Sequence, residues 1–160
     1  MKLTHYQAHG FYAISKVGPN AIKDYPAAAV NITKGDYLIS DGSGYATNTA
    51  TDTSALFLGV AAEDCDNSAG AAGAKNVKVI RAAECANIQF SVPVGTASVI
   101  TRAMVGYLVD LHTNSEVDIS DTTIATGTVA FLVEDFDAST EAVDGNTYGY
   151  AIGSFRIGAP

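Results

Sequence analysis

The 160-residue chain has no tryptophan, and only 16% of its residues are charged. In a soluble domain about 25% of the residues usually carry a charge. The exterior therefore contains many small uncharged side chains, which favours a surface that contacts another protein. A surface that is merely rich in threonine and alanine is the other interpretation. At this length we expect a single domain with a self-sufficient core.

Long apolar runs are also missing. No segment reaches the roughly 18 consecutive apolar residues of a membrane-spanning helix. Polar residues, among them His5 and His9, interrupt the N-terminus too early for a secretory signal. We therefore expect no membrane association and synthesis in a cytosol. Cys65 and Cys85 match no metal-binding or redox spacing, so we expect two buried structural thiols.

The motifs of common catalytic and cofactor sites are absent as well. The sequence contains neither a phosphate-binding GxxxxGK motif nor a dinucleotide-binding GxGxxG motif. A nucleophilic triad needs a histidine, and the only one beyond the N-terminal region is His112, in a predicted turn. His5 and His9 stand four residues apart; we favour a polar exterior over a metal-binding pair. We expect no enzymatic activity, no cofactor and no bound metal.

Two clusters of carboxylates are the best candidates for a metal site. Residues 63–66 and 134–137 each read Glu-Asp-x-Asp, with three acidic side chains in four positions. Ca²⁺ prefers several oxygen ligands in a flexible loop, but the glycine and distal glutamate of a familiar calcium loop are missing here. We therefore interpret both clusters as the solvated exits of buried strands.

The net charge of −8 is unevenly distributed. Residues 1–34 carry four lysines and one aspartate, whereas residues 35–160 carry five basic and sixteen acidic side chains. Because phosphate contacts need clustered lysine and arginine, the acidic body argues against nucleic-acid binding. The basic leader fits an acidic protein surface, although a solvated tail explains it too.

The second half of the chain repeats the first at a spacing of about seventy residues. Residues 37–39 (Tyr-Leu-Ile) recur as residues 107–109 (Tyr-Leu-Val), and the two Glu-Asp-x-Asp clusters are 71 positions apart. Two copies are too few for a solenoid, which needs about three repeats. We therefore predict one compact β domain over residues 28–160, built from two similar halves at about residues 30–95 and 100–157.

Strand patterns dominate this region. Residues 56–61 form a continuous apolar run, and residues 76–81 and 87–92 alternate between apolar and polar side chains. Apolar residues nowhere keep helical spacing for three turns, and only residues 82–86 suit one short helical turn. The pattern predicts an all-β protein, either a small β-barrel or a two-sheet sandwich.

Residues 1–27 follow no sustained period, and Gly10, Gly18, Pro19 and Pro26 interrupt them. We interpret this segment as an extended N-terminal arm that lies along a surface, with a short strand between residues 10 and 16. The alternative is that it packs on its own body as an ordinary first strand. Its large apolar side chains are the candidate contact residues: Tyr6, Phe11, Tyr12, Ile14 and Tyr25.

Three short motifs resemble those of a known family. Residues 34–38 read Lys-Gly-Asp-Tyr-Leu, residues 56–61 read Leu-Phe-Leu-Gly-Val-Ala, and residues 77–79 read Val-Lys-Val. In this order, with an acidic Ala/Gly loop before the last, they resemble the small capsid decoration (cement) proteins of tailed bacteriophages. The second copy has Phe131-Leu132-Val133 where the family has Leu-Gly-Val.

The resemblance implies a β-rich structural protein on the outer surface of the virion. Such proteins bridge neighbouring major capsid subunits, commonly as homotrimers, and many dock through an N-terminal arm, the role implied for residues 1–27. Deletion of residues 1–25 would then leave a folded body that no longer binds heads. The alternative function is a head-fibre or tail-associated module that binds carbohydrate or a host surface through Tyr45, Tyr148 and Tyr150.

Overall fold

A computed structural model describes residues 9–49, 56–95, 99–138 and 148–157 of the chain. These residues are mostly β-strand, which confirms the predicted fold class. The strands, in chain order, are β1 (Tyr12–Ala13), β2 (Ile22–Pro26), β3 (Asn31–Ile32), β4 (Tyr37–Ser40), β5 (Ala46–Thr47), β6 (Phe57–Ala61), β7 (Cys65–Asp66), β8 (Asn76–Arg81), β9 (Phe90–Pro93), β10 (Leu108–Thr113), β11 (Glu116–Asp118), β12 (Val129–Asp137) and β13 (Tyr150–Ile157).

Helical structure in the described residues is confined to short turns. The helix α1 (Ala82–Cys85) lies where one helical turn was predicted, and 3₁₀ turns span Pro19–Ala21 and Arg102–Met104. None of the described helices is both long and apolar enough to pass through a membrane.

The strands form two antiparallel sheets in a sandwich-like arrangement. One sheet has the order β1-β9-β13-β12-β10-β11, the other has the order β2-β8-β6-β4-β5, and β3 and β7 pair separately. An isolated parallel bridge between Ala27 and Ala46 links the end of β2 to β5, and one between Val94 and Val117 links the end of β9 to β11. One bridge does not close a barrel, so of the two predicted architectures the described residues fit the sandwich.

The internal repeat predicted from sequence is present in the strand topology. The five strands β2, β4, β5, β6 and β8 of the first half correspond to β9, β10, β11, β12 and β13 of the second. Counted in chain order, both sets have the spatial order first, fifth, fourth, second, third. The repeated strands begin at Ile22 and Phe90, earlier than the predicted starts near residues 30 and 100.

Each half places a glycine where its two central strands approach closely. A Cβ on Gly59 of β6 would fall on the carbonyl oxygen of Ile80 in β8, and a Cβ on Gly153 of β13 would fall on that of Leu132 in β12. Both contacts lie between corresponding strands, because β6 and β8 of the first half match β12 and β13 of the second. The glycine is on the β6 side in the first half and on the β13 side in the second.

Alternating side chains give the five-stranded sheet β2-β8-β6-β4-β5 two buried faces. In β4, Leu38 packs into a small cluster with Val77 and Val79, whereas Tyr37 and Ile39 enter the large core. In β8 the exposed Lys78 separates the two buried valines, as the alternation predicts. The first half therefore has its own interior and also packs against the second half.

Aromatic rings fill the centre of the large core. Phe155 lies at its middle, with ring centroids 4.8 Å from Phe11, 5.3 Å from Phe57 and 5.3 Å from Phe90. Tyr37 stacks on Phe57 with centroids 4.6 Å apart. Both halves contribute to this group, so it joins them into one unit.

The two cysteines are buried and unbridged, as predicted. Burial raises the pKa of the Cys85 thiol to about 12 and also raises that of Cys65. Since the thiolate is the reactive form, we expect Cys85 to resist iodoacetamide at pH 8 in the native protein and to react once the protein is unfolded. Mass spectrometry of the alkylated chain checks this, and rapid native labelling of Cys85 would contradict the burial.

Candidate binding cleft

The candidate contact residues of the predicted arm occupy different environments. Phe11 is only 1% exposed and belongs to the large core. Tyr12, Ile14 and Tyr25 are partly buried, and Tyr6 lies outside the described residues. Phe11 is thus enclosed by the protein's own side chains in this structure and is not presented to a partner.

Residues 9–27 are an integral part of the sheets, which corrects the expectation of an arm lying along a foreign surface. β1 pairs with β9 through Tyr12 and Ser91, and β2 pairs with β8 over its full length. The physical reason is that this segment can bury its apolar side chains and pair its backbone hydrogen-bonding groups within its own chain. The alternative interpretation, a first strand packed on its own body, describes these residues better.

A surface cleft of about 480 Å³ lies between residues 9–22 and strands β6 and β8 of the five-stranded sheet. Its apolar lining includes Ala61 from β6 and Ile80 from β8, together with Tyr12, Val17 and Ile22. Ile22 is 37% exposed there although it is a large apolar residue. The polar residues His9, Lys34 and Asp64 also line the cleft. An apolar interior with a few polar groups is typical of a binding cleft.

A buried carboxylate fixes one side of the cleft. Asp36, at 2% exposure, accepts hydrogen bonds from His9 Nε2 at 2.9 Å, from the backbone N–H of Thr33 at 2.9 Å and from Asn48 Nδ2 at 2.9 Å. Burying a carboxylate is costly unless several donors surround it. Asp36 therefore holds the turn before β4 against His9. Its hydrogen bonds fix the positions of His9 and Thr33, which line the cleft.

The turn itself requires a glycine. Gly35 has φ of +95°, and a Cβ there would fall on the carbonyl oxygen of His9. The backbone N–H of Phe11 donates to the carbonyl of Gly35 at 2.8 Å. Gly35 therefore contacts the backbone on both sides of Gly10, with His9 at the cleft and Phe11 in the core.

Two residues of opposite charge, Lys34 and Asp64, line the cleft. The backbone N–H of Lys34 donates to Asp64 Oδ1 at 2.7 Å, and the Lys34 ammonium lies 5.9 Å from the centroid of the Tyr12 ring. A cation at this distance from an aromatic face is attracted to it. The cleft thus offers an apolar surface bordered by one cation and one anion, which suits a peptide side chain.

The acidic clusters do not converge on a metal site. Glu63 lies 3.6 Å from Lys78 Nζ, Asp64 binds Lys34, and hydrogen bonds from Ser68 lower the pKa of Asp66. Glu134 faces Gln89, Ser154 and Arg156. Within the described ranges no group of three or more His, Cys, Asp or Glu side chains is placed to hold a metal ion. The interpretation as a strand exit fits Glu63 and Asp64, which follow the end of β6. It is wrong for residues 134–137, which lie within β12 and pair with β13 as far as Asp137.

Other candidates from the sequence lie elsewhere in the fold. His112 is exposed within β10, not in a turn. Among the tyrosines considered for carbohydrate stacking, Tyr150 is fully buried, while Tyr45 and Tyr148 are partly buried. Tyr150 is therefore a core residue.

Sequence reasoning missed most of the cleft. The sequence indicates only a polar exterior for His9, and a basic leader and a short Lys-Gly-Asp motif for Lys34. No sequence pattern brings Val17 or Ile22 next to them. The Gly-Asp pair at residues 35–36 carried the only local signal, since a carboxylate directly before a buried strand needs donors from elsewhere. No family model matches this chain, and a search of curated proteins finds no significantly similar sequence.

Proposed function

We propose that the protein is a structural virion protein that binds the outer surface of a tailed-bacteriophage capsid and stabilises it by bridging major capsid subunits. One observation carries the proposal. The three motifs that resemble the decoration proteins lie on β4, β6 and β8, and these strands are hydrogen-bonded neighbours in one sheet. The three motifs, well separated in sequence, therefore meet in one sheet, and most of their side chains are buried there. The resemblance thus concerns the core that builds the fold.

Surface properties support the same function. Only 16% of the residues are charged, and the net charge is −8, which disfavours direct contact with packaged DNA. The cleft adds an apolar surface with a polar border, which suits a segment of another protein. Scattered exposed side chains such as Val99 and Tyr107 are ordinary and add no argument.

The proposal includes the assembly and the location. The partner is the major capsid protein, the protein acts as a homotrimer on the capsid exterior, and it is synthesised in the host cytoplasm. A bridging protein contacts two capsid subunits at once, so its occupancy gains from linked binding sites.

The direct test mixes the purified protein with heads that lack it and separates bound from free protein by sedimentation. We expect saturable binding and decorated heads that resist heat-induced DNA release better than bare heads. An equal amount of heat-unfolded protein is the control for trapping. Failure of the native protein to sediment with the heads would overturn the proposal.

A further inference from the structure

The internal repeat exposes a difference between two equivalent strand edges. The bridges Ala27–Ala46 and Val94–Val117 make Ala27 equivalent to Val94, and hence Asp24 of β2 equivalent to Ser91 of β9. On β9 the outer edge at Ser91 is occupied by β1, through Tyr12. On β2 the only neighbouring strand among the described residues is β8.

The open edge of β2 has the correct backbone orientation for another strand. Ala27 N–H donates to Lys75 O at 2.8 Å, which fixes the phase of the β2–β8 ladder. In an antiparallel ladder, alternate residues direct their backbone groups to opposite sides. The backbone N–H and C=O groups of Lys23 and Tyr25 therefore point toward β8, and those of Asp24 point away from it. Residues 22–24 are exposed.

We infer that the edge of β2 binds an extended segment of the capsid partner by strand addition, antiparallel to β2 and equivalent to β1 on β9. This inference rests on the proposed function for the identity of the partner. Strand addition at a free edge provides main-chain hydrogen bonds, and side-chain pockets provide specificity.

Charges across the sheet indicate the chemistry of the segment. Lys78 Nζ lies 3.6 Å from Glu63 and 3.9 Å from Asp24, so the signs alternate from Glu63 to Lys78 to Asp24. A basic residue opposite Asp24 continues the alternation. Two β2 edges paired about a two-fold axis would place Asp24 opposite Asp24, which is destabilising, or in a shifted register opposite an uncharged residue such as Ile22. Neither pairing supplies a basic partner. The charges thus favour a different protein over a second copy.

The cleft defines the next contact. Ile22 points to the same face as Asp24, since they are two residues apart, and it lines the cleft together with its pair partner Ile80. A segment antiparallel to β2 passes Asp24 first and Ile22 second. The expected segment therefore carries a basic residue followed two positions later by an apolar one that enters the cleft.

The test compares Asp24 variants in binding to heads that lack this protein. Asp24→Pro removes the outward N–H without removing a bond to β8, and Asp24→Ala keeps the N–H but loses the charge. We expect Asp24→Pro to weaken binding about tenfold and Asp24→Ala less. Asp24→Lys should weaken binding more than the matched reversal Asp135→Lys, on an exposed residue of the other half. Circular dichroism checks that each variant is folded.

Hydrogen exchange on the wild type tests the same contact without a substitution. The Asp24 amide should exchange at least about tenfold more slowly in the head-bound protein. Unchanged exchange, or full binding by folded Asp24→Pro, would overturn the inference while leaving the proposed function intact. Self-association in the absence of heads that Asp24→Pro abolishes would overturn the choice of partner. If the wild type does not bind heads, the proposed function fails first.

Discussion

We expect deletion of residues 1–25 to abolish folding, because the deleted segment contains β1, most of β2 and the core residue Phe11. Phe11 packs against Phe155 and Phe131, with ring centroids 4.8 Å and 5.9 Å away. Loss of a buried phenylalanine alone costs about 3–5 kcal/mol. Total stability is about 5–15 kcal/mol for a typical domain. The remaining chain should therefore show no cooperative thermal unfolding transition by circular dichroism.

A point substitution at Phe11 separates the effect of losing this side chain from the effect of losing β1 and β2. Phe11→Ala should lower the free energy of unfolding by about 3–5 kcal/mol, whereas Phe11→Leu, which fills most of the volume, should lose less. Deletion of residues 1–8 is the matched control, since it removes none of the described strands. A cooperative transition for the chain that lacks residues 1–25 would contradict the structure and restore the separate arm expected from sequence.

The second large effect is expected at Gly59 and Gly153, the glycines at the close contacts between central strands. Gly59→Ala and Gly153→Ala each force a Cβ against a backbone carbonyl of the neighbouring strand, which cannot move aside as a side chain can. We expect each variant to lose about 3 kcal/mol or more, from overpacking. Gly59→Ala should lose more than Gly153→Ala, because its φ of +139° adds backbone strain.

Chemical denaturation of the purified variants measures these losses. Gly18→Ala is the control, since Gly18 has φ of −71° and no atom within 4 Å of an added Cβ. It should unfold at the denaturant concentration of the wild type. Wild-type stability of Gly59→Ala or Gly153→Ala would mean that the central strands are not as close as the structure places them.

The body of the fold follows from local patterns that the sequence displays openly. The alternation at residues 76–81 and the apolar run at residues 56–61 reflect burial on one or both faces, so they predict β8 and β6 directly. The repeat was detectable because equivalent strands need similar side chains. Residues 9–27 lack a strand pattern of this kind. Gly10 and Gly18 interrupt the segment, and β1, which follows the core residue Phe11, has only two residues.

Long-range polar contacts were beyond the reach of sequence. Asp36 is held by His9, 27 positions away, and no local pattern marks that pairing. The two glycines and four alanines in residues 64–74 are typical of a mobile loop. Buried Asn67 nevertheless donates to the carbonyls of Ala27 and Ala28 at 3.2 Å and 3.0 Å and fixes the loop. The edge of β2 likewise becomes visible only when the two halves are compared in space.

The composition of purified virions tests the central claim most directly. Quantitative mass spectrometry of the virus that encodes this chain should find it at a copy number comparable to that of the major capsid protein. It should also be accessible to protease on intact particles, as expected for an outer-surface protein. Absence of the chain from purified virions would contradict the account, and a few copies per particle would favour the head-fibre or tail-associated alternative.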